Sequence, residues 1–531
     1  MAVEEDTKGE GVTTSAGVNP IRLRVTNFGP IAEGDFELRP MTIFLGPSNS
    51  GKSFMAGLVY ALHNFFKSDS SQIPYLHSRG VQSYDSILTT FQESQLTEDN
   101  CNLLFDWFME VFPGLIADDA LAQGRSKDPP FELPPWVADL VRPYLENVSS
   151  WSEDLGLELA RCFGVDNASK LIRYPGQNPA LFSLRQSTKA AQTDYFGYDI
   201  SLTTDGPKVA ASFSETVPYR IGGSTIVKRL PARWRMNPFL LRDDSKRGVA
   251  ISLLVVLADE IACRNVDPLS STAHFLPADR AGILHSSQVV VQALIASASR
   301  TVLRPSSARP SLPGLLGDYL EQLVSLVGAS KQERGIYVKL ARQLEDEILS
   351  GIVRLERTEI DFPSFVYRPY GWERDLPLTN SSSMVTELLP IVLYLRHVVQ
   401  GSDLLIIEEP EAHLHPESQA TFTRQLVAAV QAGIRVLITT HSEWILEELA
   451  NLVRLSELPI DRRDGIEDPE IALSPDQLGA WFFEPKQDAG GSVVREISLD
   501  EDSATFPAGF GLVTESLYNR WVEISTRIQE E

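Results

Sequence analysis

Eight consecutive residues, Gly46-Pro47-Ser48-Asn49-Ser50-Gly51-Lys52-Ser53, constrain this chain more than any other feature. They follow the pattern G-x-x-x-x-G-K-[ST], which has meaning only between a strand and a helix. Both flanks are present. Met41-Thr42-Ile43-Phe44-Leu45 is a short apolar run of buried-strand type, and Phe54, Met55, Leu58, Val59, Leu62 and Phe65 recur afterwards at helical spacing. Gly46 and Gly51 let the backbone curl until successive N–H groups point at phosphate oxygens, and the positive end of the following helix adds to that field. Within such a loop Lys52 reaches the β- and γ-phosphates and the Ser53 hydroxyl sits on Mg²⁺. The pattern predicts a nucleoside triphosphate site.

A chain of 531 residues exceeds one ordinary core and predicts two to four domains. With 43% hydrophobic and 22% charged residues it reads as globular, not disordered. A formal charge of −24 argues against a surface that is basic throughout; it leaves a local basic groove open but lends no support to DNA binding. Cys101, Cys162 and Cys263 lie far apart without C-x-x-C pairing, which excludes a disulfide framework or zinc ribbon and suits a reducing cytoplasm. No apolar run approaches the ~18 residues of a membrane span. Met1 to Asn19 lacks an apolar core and reads as a disordered tail, not a signal peptide.

Ile21 to Val25 and Gly34 to Leu38 alternate apolar and polar residues around Asn27-Phe28-Gly29-Pro30, so an antiparallel pair precedes the loop strand. Residues 68–181 are mostly helical in pattern, and Tyr198–Leu202 is expected to pair with Val209–Phe213 across Asp205-Gly206-Pro207. Phe275-Leu276 ends a strand before a polar turn carrying Arg280. Helical pattern returns over Ser286–Ala298 and Leu315–Leu349. Leu478–Glu484 and Ser492–Ile497 read as a hairpin about Asp488-Ala489-Gly490-Gly491. A helix over Thr514–Gln529 sets Leu517, Tyr518, Trp521 and Ile524 on one face, a stripe that suits core before interface.

Ser402–Pro410 is the second informative stretch, a buried parallel strand running into Glu408 and Glu409. The C-terminal edge of a strand beside the phosphate loop is where a Mg²⁺-side acid and a water-activating base belong. Glu408 has the extra methylene where most such sites carry Asp, and still reaches a metal through water. Glu409 is expected to orient and deprotonate the attacking water. His413 and His415 lack a third ligand at standard zinc spacing. Ile434–Thr440 forms another strand, tipped by His441, which can contact a γ-phosphate or the attacking water.

Together the phosphate loop, Ile406-Ile407-Glu408-Glu409-Pro410-Glu411-Ala412-His413-Leu414-His415-Pro416 and Thr439-Thr440-His441-Ser442 resemble the ABC-type ATPases of the SMC/RecF clan. Within that clan they look like the OLD-like branch, where Glu-Glu-Pro replaces Asp-Glu-Pro. The resemblance covers about 21–62, 275–282 and 376–449. It implies Glu408 as Walker B acid, Glu409 as catalytic base, Ala412–Pro416 as D-loop and His441 as switch histidine. Asn380-Ser381-Ser382-Ser383-Met384-Val385-Thr386-Glu387 resembles a degenerate signature segment, in which Ser382 and Ser383 would cap the γ-phosphate of a partner subunit. A serine-rich helix cap explains the same residues equally well. Arg280 resembles a motif residue facing the nucleotide. No Q-loop glutamine stands out.

The fold class so implied is α/β: a P-loop ABC-ATPase head with a mixed sheet, plus a large, mainly helical lid or arm insertion carrying a small antiparallel sheet. Expected divisions are a disordered tail at 1–20, head at 21–66, insertion at 67–270, head at 271–455 with a helical segment at 286–350, and a hairpin and helix at 456–531. The resemblance also implies two copies closing head to tail around ATP and Mg²⁺, in the cytoplasm and without a membrane. Stand-alone ATPases of this branch, such as those of the Septu and PARIS anti-phage systems, regulate a separate effector, a nuclease or toxin. Nothing in this sequence resembles the TOPRIM nuclease fused in full-length OLD enzymes, since Asp500-Glu501-Asp502 lacks spaced acidic partners, and the expectation is the ATPase alone. The rival reading is a RecF- or SMC-like repair or chromosome-maintenance ATPase that binds DNA. A transporter nucleotide-binding subunit is disfavoured by the long insertion.

Overall fold

The computed structural model describes residues 21–67, 97–122, 130–146, 151–173, 178–187, 194–213, 220–222, 246–265, 269, 271–286, 312–329, 337–357, 363–499 and 518–522. The expected tail, most of the helix at Ser286–Ala298 and most of that at Thr514–Gln529 lie outside these residues.

In chain order the elements are β1 (Ile21–Phe28), β2 (Ile31–Leu38), β3 (Met41–Leu45), α1 (Lys52–Phe66), α2 (Glu98–Ala122), β4 (Pro130–Glu132), α3 (Pro135–Glu146) and α4 (Trp151–Phe163). There follow β5 (Ala180–Ser187), β6 (Asp194–Thr203), β7 (Gly206–Phe213), β8 (Arg220–Gly222), α5 (Lys246–Asn265) and β9 (Ala273–Leu276). After α6 (Gly314–Ala329), α7 (Val338–Leu344) runs into a π-helical turn at Glu345–Leu349, then β10 (Gly351–Arg357), β11 (Pro363–Pro369) and β12 (Leu376–Pro377). The last third holds α8 (Ser383–His397), β13 (Leu404–Glu408), α9 (Pro416–Gln431), β14 (Arg435–Thr440), α10 (Glu443–Glu457), β15 (Leu478–Lys486) and β16 (Gly491–Ile497).

Among the described residues eleven strands form one mixed sheet in the order β7-β6-β5-β1-β2-β16-β15-β3-β14-β13-β9. From β15 to β9 neighbouring strands run parallel, and β1, β2 and β5–β7 run antiparallel. Parallel strands covered on both faces read as unbroken apolar runs, and β3, β9 and β13 are buried at every residue. Their side chains alternate between two cores. Met41, Ile43, Leu405, Ile407, Val436 and Ile438 face α6–α10, whereas Phe44, Leu404, Ile406 and Leu437 face α1 and α4. The result is a sheet between two helical layers.

The small antiparallel sheet expected in the middle of the chain is present, with Ile200 opposite Val209. It is continuous with the main sheet, because β5 pairs with β1 along the edge that β2 leaves free. The C-terminal hairpin is more deeply integrated than a hairpin pattern can reveal. β15 lies parallel to β3 and β16 parallel to β2, so the hairpin fills the centre of the sheet. Trp481 and Phe483 pack there against Phe36 and Phe44. A boundary at 456 therefore falls between elements of one sheet. In the terminal stripe, Tyr518 and Trp521 are exposed at 63% each, contrary to the expected core placement.

A candidate nucleotide site at the ends of parallel strands

β3, β14 and β13 end side by side. Glu408 stands level with Thr439, and Thr439 with Phe44, which at ~4.8 Å per strand puts Glu408 about 10 Å across the sheet from the start of the phosphate loop. β13 is not the immediate neighbour of β3, as the sequence had suggested; β14 separates them, so the His441 strand is the one beside the loop. Two segments separated by most of the chain thus share one edge.

Steric demands around the loop explain its glycines. Gly46 has φ 143°, and a Cβ there would lie 2.6 Å from the carbonyl oxygen of Phe483 on β15. Gly51 has φ 99° and would place a Cβ 2.9 Å from Cγ of Pro30. Asn49, at φ 63°, takes the remaining left-handed position. Gly51 leads into α1 with no side-chain cap and no acidic residue in the first turn, so the first N–H groups of α1 are left for an anion. Lys52 is 5% exposed and donates from Nζ to the carbonyls of Gly46 and Pro47 at 2.8 and 2.9 Å. Burial lowers its pKa, opposed by Glu409, Glu411 and Glu408 in that order. Ser48 stands exposed on the loop, and the Ser50 hydroxyl is buried without a hydrogen-bond partner.

Glu408, the last residue of β13, is buried. Its Oε2 accepts from the Ala278 N–H at 3.3 Å, whereas Oε1 is buried and unpaired. Burial raises its pKa, opposed by the neighbouring Ser53 hydroxyl and the Ala278 N–H. A buried carboxylate oxygen without a donor, next to a serine hydroxyl, is a donor set that fits Mg²⁺. Among the described residues no group of three or more His, Cys, Asp or Glu could hold a metal ion, and His415 instead caps α9 by accepting from the Glu417 N–H.

At Glu409 the chain leaves the sheet with φ 44°, a left-handed conformation that is strained for glutamate. Its N–H donates to the Thr439 carbonyl at 2.9 Å, while its carboxylate stays 38% exposed. His441 is half-exposed, with Nδ1 3.9 Å from carboxylate oxygens of both Glu409 and Glu411. In the sequence Glu411 stands out only as part of the Ile406–Pro416 motif string. Its position third in a run of carboxylates was the available signal. Oε1 accepts from the Thr440 hydroxyl at 2.7 Å and from the His441 N–H at 2.8 Å.

One expected nucleotide contact is placed differently. Arg280 has no exposed surface and so is not open to a nucleotide in this conformation. It donates from Nη1 to the Glu408 carbonyl at 2.8 Å and from Nε to the Glu387 carbonyl at 2.9 Å, and it pairs with the Glu387 carboxylate at 3.0 Å. It is a clamp joining the end of β13 to α8. Ser382 and Ser383 are exposed at the start of α8, where Ser382 Oγ accepts from the Val385 N–H; the helix cap is formed, and both serines stay open to a second copy.

A family model described as an AAA ATPase domain matches residues 330–446, which include Glu408, Glu409 and His441 but not the phosphate loop. No curated protein matches the sequence. Among solved structures the chain is similar to an SMC head bound to the C-winged helix domain of ScpA, with 9% identity, TM-score 0.37 and coverage of 91% of this chain and 98% of that one. The SMC head domain from Thermotoga maritima aligns at 11% identity and TM-score 0.34, over 91% and 100% of the two chains. An Smc head with an extended coiled coil, bound to the C-terminal domain of ScpA from Pyrococcus furiosus, aligns at 9% and 0.36, over 91% and 96%. No helix among the described residues is long and apolar enough to cross a membrane.

Proposed function

We propose that this chain binds ATP at Gly46–Ser53 and hydrolyses it to ADP and phosphate. One observation carries the reading: Lys52, Ser53, Glu408, Glu409 and His441 converge at the ends of β3, β14 and β13 although the chain separates them widely. Loop N–H groups and the first turn of α1 would hold the phosphates, and Lys52 would exchange its loop carbonyls for β- and γ-phosphate oxygens. Ser53 and Glu408 would hold Mg²⁺, which when bound draws charge from the phosphate oxygens. Glu409, half-open to solvent beside His441, takes the proton of the attacking water as that water's oxygen bonds to the γ-phosphorus and the bond to the β-phosphate oxygen breaks. His441 orients that water or steadies the γ-phosphate.

The finer part of the proposal is that ATP closes two copies head to tail, with the Ser382–Ser383 end of α8 meeting the other copy's nucleotide. The pair then governs a separate effector such as a nuclease, as the Ile406–Pro416 resemblance suggests. Direct DNA binding in repair is the rival role, to which a net charge of −24 lends no help.

Turnover and nucleotide binding measured together test the core reading. Lys52→Ala should lose binding, and Glu409→Gln should bind ATP while turnover falls by about 10²-fold or more. Wild-type turnover in Glu409→Gln would remove the proposed base. For the finer role, Glu409→Gln purified from its host should carry a stoichiometric effector protein; a dimer carrying only DNA would favour repair.

A further inference from the structure

We infer that Glu411 is a positioning residue that sets His441 against Glu409, an inference that rests on the ATPase reading above. His441 lies in the two-residue link between the end of β14 at Thr440 and the start of α10 at Glu443. Downstream the link is anchored by Ser442, whose N–H donates to the Thr440 hydroxyl at 3.0 Å and whose hydroxyl donates to Gln419 at 2.6 Å. On the side facing Glu409, the tie is Glu411. Its Oε1 takes both the Thr440 hydroxyl and the His441 N–H, so one oxygen holds the side chain before the histidine and the backbone of the histidine itself.

The other end of that tie is equally constrained. Glu411 sits in the turn directly after Glu409, closed by the Ala412 N–H on the Glu409 carbonyl at 3.1 Å and the Leu414 N–H on the Glu411 carbonyl at 3.0 Å. The Glu409 N–H in turn bonds the Thr439 carbonyl. The turn and the tip of β14 therefore form a closed ring of hydrogen bonds, with the two proposed reacting groups on its rim and His441 Nδ1 equidistant, at 3.9 Å, from Glu409 and Glu411. The Glu411 side chain is 9% exposed, so water does not compete freely for Oε1. Its Oε2 is buried without a partner.

Acceptor geometry, not charge, is what the ring needs, and glutamine can supply it. The test compares kcat, KM and nucleotide binding for wild type, Glu411→Gln, Glu411→Ala, Thr440→Val and Thr440→Ser. Glu411→Gln should stay within about 3-fold of wild type in kcat, while Glu411→Ala should lose about 10²-fold in kcat with KM nearly unchanged, as a misplaced group does. Thr440→Val, which removes the bond to Glu411 together with the acceptor of the Ser442 N–H, should lose about 10-fold or more, and Thr440→Ser, which keeps both bonds, should restore wild-type kcat; this pair serves should Glu411→Ala fold poorly. An active wild type with equally active Glu411→Ala or Thr440→Val overturns the inference alone. So does a Gln variant as slow as the Ala variant, or a loss that appears in KM and binding instead of kcat. A wild type without turnover sinks the ATPase reading, and this inference with it.

Discussion

Replacing Arg280 by methionine should break the clamp between β13 and α8. The thioether side chain preserves much of the buried stem but removes the guanidinium fork. Lost are the 2.8 Å bond to the Glu408 carbonyl, the 2.9 Å bond to the Glu387 carbonyl and the 3.0 Å ion pair with the Glu387 carboxylate. Each charged hydrogen bond is worth about 1.5–3 kcal/mol net, but these overlap with the removal of one partner from a buried pair, which costs about 3–5 kcal/mol in all. We take the latter as the expected loss.

The loss should depend on pH, and the sign follows from Glu387. Burial already holds its pKa above the ordinary value, and the Arg280 charge is the main influence opposing that. Without Arg280 the folded-state pKa rises further, so the folded variant favours the protonated acid. Its stability is then greatest below the unfolded pKa of about 4.3 and falls as pH rises through the folded value. Denaturant unfolding at pH 5 and pH 8 should show the larger deficit at pH 8. Arg280→Met/Glu387→Leu should recover to within about 2 kcal/mol of wild type, because a packed apolar pair replaces a buried ionic one at little cost. A deficit under about 1 kcal/mol at pH 8, or a double variant no better than the single, would refute the clamp.

Two further perturbations probe how the site is built. Phe483→Ala, removing a fully buried ring between Phe36 and Phe44, should cost about 3–5 kcal/mol in denaturant unfolding; a cost near zero would mean that the hairpin is an appendage and not the centre of the sheet. Gly51→Ala must hold φ 99° and push a methyl against Pro30, so it should lose about 1–3 kcal/mol of stability and weaken binding of a fluorescent ATP analogue. Unchanged stability and affinity would show that the loop tolerates a side chain there.

The amino-acid sequence alone determined the local events: strand, glycine turn and helix at 41–66, the carboxylate-tipped strand ending at Glu408, the His441 strand and the C-terminal hairpin. Each is written in short-range terms, as period-2 or period-3.6 apolar spacing or as a glycine where only φ above zero fits. Which strands lie together is a long-range matter, and there the tertiary structure decided. The apolar run of β3 accepts any partner that buries both of its faces, so its pattern could not reveal that β14 and β15 flank it. Arg280 shows the same division. A lone arginine in a polar turn looks available to a phosphate until packing closes over it and leaves carbonyls and Glu387 as its partners. Glu411 was visible as a third acid, but a hydrogen bond across 29 positions to Thr440 exists only once parallel pairing brings β13 and β14 into register. Sequence periodicity reports how one segment meets its own surroundings; the identity of those surroundings is set by the packing of the whole sheet.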